Sequence, residues 1–319
     1  MPVQNPPIID LHQDLLLHVE RRDLYPGGHW QTSFEMLKRN NAKIIVASAF
    51  PVPDDHNFFN PAINELIEKD FESYRTYCKA NPEWSVVKNG ADVSAVLADK
   101  NRFGLLLHVE GLNVFSDEWD MLERWYGLGW RSLGLVWNKT NPLGGGTEDP
   151  ASGLSPRGRE IIGWLSGKRM LVDFAHMNAP TFFDAAKIYK GPIIISHGNA
   201  AALCPGPRNY TDEQLRLVAQ SGGVAGVFFG STYLVGKGAP GTVHDAVRHF
   251  KHLRDVMGID HVALGSDFGG ITTGMLADLN SVDTLPLLWD TLRADGFSEE
   301  DIEKIAYKNA RRVLEAVLA

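Results

Sequence analysis

IIDLHQD, residues 8–14, is the stretch that decides the fold. Its apolar run is too short for a helix, and it breaks at once into imidazole and carboxylate side chains. A short run that is almost uniformly apolar reads as a strand buried on both faces, as in a parallel sheet. The same pattern recurs at residues 43–50, 103–109, 132–137, 170–175, 192–196, 223–229 and 261–265. With residues 8–11 that makes eight strands.

Helical patterns separate them. Pro61 is expected in a first turn, followed by Ile63, Leu66, Ile67, Phe71 and Tyr74 at helical spacing. Ser155-Pro156 is a start signal, and Thr211 with Gln214 forms a capping box. Ser298 caps a last helix carrying Ile302, Ile305, Val313 and Val317. Eight strand–helix units predict an α/β chain folded as one (β/α)8 TIM barrel over residues 1–319. Between strands two and three runs an extended excursion, residues 51–102, with a helix and a small extra strand at 84–87. A doubly wound open sheet is the alternative, but no G-x-G-x-x-G follows the first strand. Residues 138–155, rich in Gly and Pro, are a candidate active-site lid.

Composition narrows the class. The chain has 319 residues, 44% of them apolar and 22% charged, which excludes collagen-like, disordered and coiled-coil chains. Lys and Arg number 31 against 39 Asp and Glu, for a net charge of −8, so no nucleic-acid partner is expected. No apolar run reaches the roughly 18–20 residues of a membrane span, so no membrane partner is expected either. The N-terminus lacks a signal-peptide pattern. Cys78 and Cys204 read as free thiols in a reducing, cytoplasmic setting.

In a barrel the C-terminal ends of the strands build the site. His12 and Asp14 follow strand one, and Glu110 follows strand three. Strands five and six end in His176 and His197, and strand eight runs into Asp267. Any one of these reads most simply as a hydrogen-bonded histidine or a helix-capping acid. Six at one end of a barrel point to a metal pair. Zinc accepts imidazole nitrogen and carboxylate oxygen. His12-x-Asp14 offers two ligands, Glu110 can bridge two ions, and His176 and His197 complete the second. Two Zn2+ would generate a hydroxide at neutral pH and clamp a scissile carbonyl. Asp267 is left to move protons. His108 shares the face of Glu110, as a supporting or simply a buried residue. His249 and His252, one turn apart on a helix over 243–256, read as a solvated face, and His18, His29, His56 and His244 carry no pattern. Arg208-Asn209 can hold an anion. With no G-x-S-x-G present, a serine nucleophile is disfavoured.

The chain resembles the renal (membrane) dipeptidase family of zinc metallopeptidases. The resemblance spans nearly the whole chain and is densest in IIDLHQDLL (8–16), VEG (109–111), LVDFAHMN (171–178), IIISHGNAAALCPGPRNYTDEQL (193–215) and HVALGSDFGG (261–270). It implies a (β/α)8 barrel with two zinc ions that hydrolyses dipeptides and tolerates a D-residue at their C-terminal end. By position it implies His12 and Asp14 on one zinc, His176 and His197 on the other, and Glu110 between them. It further implies Arg208 on the substrate carboxylate and Asp267 as the catalytic aspartate. Relatives often carry a substrate-contacting His after strand four, where this chain has Trp137 followed by Asn138. Both are candidate substrate-binding residues. A homodimer is the assembly to test for. The competing readings are another amidohydrolase-like enzyme, cleaving a small amide, acyl-amino acid or lactone, and a non-catalytic binding protein on the same scaffold.

Overall fold

The computed structural model describes residues 5–25, 28–50, 63–112 and 119–319. Nine strands lie in it: β1 Ile8–Gln13, β2 Ala42–Ala49, β3 Trp84–Val86, β4 Phe103–Glu110, β5 Trp130–Gly134, β6 Leu171–Asp173, β7 Ile194–Ile195, β8 Val224–Val227 and β9 Val262–Leu264. All pairings between them are parallel. The order runs β2-β1-β9-β8-β7-β6-β5-β4, and β2 pairs with β4, so eight strands close on themselves. This is the (β/α)8 barrel expected from the sequence.

The ninth strand, β3, comes from the excursion between β2 and β4. It pairs with the first residues of β4, Phe103 to Leu105, while β5 takes over that edge from Leu107 to Glu110. Helices Ile63–Ala80 and Gly90–Ala98 flank it. Pro61 and His56 lie outside the described residues.

Every residue of β1, β2, β4 and β5 is buried, which explains their unbroken apolar reading. Ile9, Leu11, Val46 and Leu106 pack with Val313 and Leu314, so the last helix seals the end where the strands begin. The imidazoles and carboxylates of the predicted site lie at the opposite rim.

Capping agrees with the sequence at Ser155, Thr211 and Ser298, each accepting from a first-turn N–H. The last helix runs from Glu299 to Val317, with a π-helical turn, Lys304–Lys308, inside it. There the buried Asn309 donates to the Ile259 and Val262 carbonyls, at 2.7 and 2.8 Å. Strand four of the sequence reading ends at Gly134 rather than residue 137, since only its first part finds partners on both sides. Among the described residues no helix is long and apolar enough to cross a membrane.

Residues 138–155 form a fixed wall. The Gly145 N–H donates to Thr181 Oγ1 (2.9 Å), and Asn178 Nδ2 donates to the Asp149 and Ser152 carbonyls, at 2.5 and 2.7 Å. A Cβ on Gly146 would collide with the carbonyl oxygens of Trp137 and Asn138. These contacts hold the segment against the rim of the barrel.

Candidate active site

Each strand delivers its polar residue by a local device. Between Asp10 and Gln13, β1 advances three residues against two on β2, from Ile45 to Ala47. Such a bulge re-aims a side chain, here His12, toward the barrel axis. Glu110 is the last residue of β4. His176 and Asp267 follow β6 and β9 in left-handed backbone conformations, with φ of 62° and 61°. Among the described residues only Asn41 shares this state outside glycine. The conformation costs on the order of 1–2 kcal/mol and clusters at functional sites.

The six rim residues converge. His12 Nε2 lies 3.3 Å from Asp14 Oδ2, 3.7 Å from Glu110 Oε2 and 3.9 Å from Asp267 Oδ1. Glu110 Oε1 faces the other way, 2.8 Å from His176 Nε2 and 3.4 Å from His197 Nε2. The two histidine nitrogens are 3.0 Å apart. Arg208 Nη2 donates to the His197 carbonyl and reaches His176 Nε2, both at 3.1 Å.

This group is out of balance without a cation. Burial pushes Glu110 well above the usual carboxylate range; His12 pulls it down, and Asp14 and Asp267 push it further up. Burial likewise lifts Asp267 to about 7, against the pull of His12. For His12 burial opposes the charge, but Glu110, Asp14 and Asp267 together outweigh it and raise its pKa to about 10. His176 and His197 are pushed well below the ordinary histidine value, first by burial and then by Arg208 and His12. Both ring nitrogens of His12 and one oxygen of Asp14 are buried with no hydrogen-bond partner among the described residues. Buried acids in such numbers are costly unless paired or metal-bound. His12 joins Glu110 and His197 in one group that could hold a metal, and Asp14 and Asp267 in another. Orphaned donor atoms of the right chemistry thus fit a metal centre.

A second ring of polar residues steadies this one. Asp10 accepts from Ser266 N (2.9 Å), Ser266 Oγ (2.5 Å) and Gln13 Nε2 (2.7 Å), tying β1 to the segment after β9. Asp173 accepts from Ser196 N (2.9 Å) and Oγ (2.5 Å), and Ser196 Oγ meets His197 Nδ1 at 2.8 Å. His108 pairs with Ser132 Oγ at 2.8 Å beneath His12. Sequence reading passed over Asp10, Asp173 and Ser196. The available signal was a charged residue inside an otherwise apolar strand.

The remaining sequence candidates fall on the wall of a cleft of about 270 Å³, alongside Asp14, Glu110 and Asp267. That volume suits a small molecule. Arg208 is buried there, and Trp137 and Asn138 are half-buried, with the Trp137 ring 5.2 Å from Phe50 and 6.2 Å from His176. Strand alternation would admit only one of the two neighbours. Both reach the cleft because β5 has ended three residues earlier. Asn138 Oδ1 lies 2.8 Å from His176 Nδ1. His249 and His252 do not form a solvated face: His249 is buried, and His252 pairs with Asp212.

A closed parallel barrel with imidazoles and carboxylates gathered at its C-terminal rim defines a hydrolase of the metal-dependent kind. The chain belongs to the membrane dipeptidase family, peptidase family M19, which matches residues 3–319. It is accordingly a metallodipeptidase-type enzyme, and the reading as a non-catalytic binding protein falls. It is 39% identical over 239 residues to an uncharacterised protein of the pqqA 5′ region from Klebsiella pneumoniae, covering 72% of this chain and 87% of that one. It is 32% identical over 336 residues to the dipeptidase ataJ of Aspergillus terreus, covering 96% and 81%. A metallopeptidase from Rhodobacter sphaeroides, solved with a phosphinate mimic of the dipeptide L-Ala-D-Ala, superposes with a TM-score of 0.86. It is 25% identical, over 98% of this chain and 99% of that one.

Proposed function

We propose that the protein is a binuclear zinc dipeptidase cleaving dipeptides with a free C-terminal carboxylate, D-residues at that end included. One observation carries the reading: the two oxygens of Glu110 address different histidines, His12 on one side and His176 and His197 on the other. A carboxylate so placed suits a bridge between two cations, with Asp14 beside His12 on the first. Divalent ions held by these residues would supply a water of near-neutral pKa and polarise the scissile carbonyl.

The chain's own residues do the rest. Arg208, whose Nη1 is buried without a hydrogen-bond partner among the described residues, binds the substrate carboxylate with its planar fork. Asp267, at the cleft and within 3.9 Å of His12, accepts the proton of the attacking water and returns it to the departing amine. Trp137 Nε1–H and Asn138 Nδ2–H are the donors that the end of β5 offers to the substrate. Acceptance of a D-residue is supported by the L-Ala-D-Ala mimic held by the Rhodobacter sphaeroides relative. The free thiols Cys78 and Cys204 support a cytoplasmic setting.

The test combines elemental analysis with a dipeptide library containing D-residues. Zinc-saturated protein should hold two ions per chain. Amidating the substrate C-terminus should lower kcat/KM strongly in the wild type and little in Arg208→Ala. Full activity with one ion or none overturns the binuclear reading, and equal losses in both proteins remove Arg208 from carboxylate recognition.

A further inference from the structure

His176 sits three residues beyond β6, in a left-handed conformation, with no regular element holding its ring. Something else must aim it. A neutral imidazole has one N–H and one lone pair, and the hydrogen bond at one nitrogen decides what the other can do.

For His197 the answer follows by elimination. Its Nδ1 meets Ser196 Oγ at 2.8 Å. Asp173 Oδ1 accepts from the Ala175 and Ser196 N–H groups, and with the group held as a carboxylate the single Ser196 proton goes to its Oδ2 at 2.5 Å. Ser196 can therefore only accept from His197, whose Nδ1 carries the proton and whose Nε2 lone pair turns to the centre. His176 has no serine of this kind. Its Nδ1 meets Asn138 Oδ1 at 2.8 Å, and that oxygen also accepts from Thr147 Oγ1 at 2.9 Å. Around Asn138 the backbone is fixed: its carbonyl accepts from Glu148 N at 2.8 Å, and Gly146 packs where no side chain fits.

We propose that Asn138 is a positioning residue of the metal centre: its side-chain oxygen holds His176 as the Nδ1–H tautomer and presents Nε2 to the ion shared with His197. The role rests on the metal reading above and is separate from any contact of the Asn138 amide N–H with substrate. It makes the 138–149 wall part of the metal site, through Thr147 and Asn138 to His176. An outer partner of this kind typically contributes 10–100-fold in metal affinity.

Zinc titration calorimetry without substrate on wild type, Asn138→Leu, Asn138→Asp and Thr147→Val tests it. Asn138→Leu removes the acceptor and should weaken one of two zinc ions by about 10–100-fold, with the melting temperature of the zinc-free protein unchanged. Asn138→Asp keeps an acceptor oxygen and loses the amide donor, so its affinity should stay within about threefold. Thr147→Val should fall between. Long-range 1H–15N spectra of zinc-loaded wild type, labelled at histidine, should show His176 protonated at Nδ1 and coordinated through Nε2. That readout stands if Asn138→Leu does not fold. Equal zinc affinity in Asn138→Leu and wild type, or coordination of His176 through Nδ1, overturns the role of Asn138. Fewer than two zinc ions on the wild type overturns the metal reading instead.

Discussion

Asp267 occupies a backbone conformation that asparagine adopts as readily as aspartate, so Asp267→Asn changes the charge and leaves the backbone alone. Its carboxylate is the farthest of the three acids from His12 Nε2. The variant should therefore keep its metal by elemental analysis and lose turnover by on the order of 10²–10⁴. Near-normal kcat would remove Asp267 from proton transfer. Trp137→Phe keeps an aromatic wall beside Phe50 and deletes the indole N–H. If that N–H steadies the oxygen that gains charge, kcat should fall about 10²-fold at constant metal content. A change within threefold means the ring only shapes the cleft. At this scale the acids and histidines of the rim were legible because they interrupt apolar runs at predictable places. Asp173 and Ser196 were not, because their partnership crosses from β6 to the end of β7 and depends on the register between those strands, which a residue count does not give.

The helix Val243–Met257 shows how an element can be read correctly and faced wrongly. Its buried set includes Ala246, His249, Phe250 and Leu253, so His249 lies three residues after one core position and four before another. That spacing was the available signal, outweighed by the polarity of the ring. His249 Nδ1 accepts from Ala200 N at 3.0 Å, so its Nε2–H donates to the Leu234 carbonyl at 3.2 Å. It holds the segment between His197 and Arg208 against the helix Ser231–Val235. Burial pushes its pKa down to about 4 from 6.5. The unfolded chain thus binds a proton that the folded chain refuses. The stabilisation is complete above about pH 6.5 and drains away as pH falls toward 4, by about 3 kcal/mol in all. His249→Gln, which does not titrate, should flatten the pH dependence of unfolding between pH 7 and 4. An identical slope in both proteins would show that other groups set it. In the loop 138–155, Gly-rich composition signals backbone freedom, and here the glycines also permit close contacts with Thr181, Asn178 and the Trp137 carbonyl.

Across the whole molecule, the eight-strand count was legible because each barrel strand is buried on both faces. The bracing of β4 was not, since β3 shares an edge with β5 only through the path of the excursion. β4 is flanked along its length, by β2 on one side and by β3 and then β5 on the other. β7, by contrast, is two residues long, with two register partners on β8 and one on β6. Local opening draws on the least-paired segments first. Deuterium should therefore enter the amides around β7 early and those of residues 104–109 of β4 last. On that expectation the carboxylate between the proposed ions rides on the slowest-exchanging strand, while His197 follows the fastest. A chelator should then strip the centre in two kinetic phases, the ion at His176 and His197 leaving first and the one at His12 and Asp14 outlasting it.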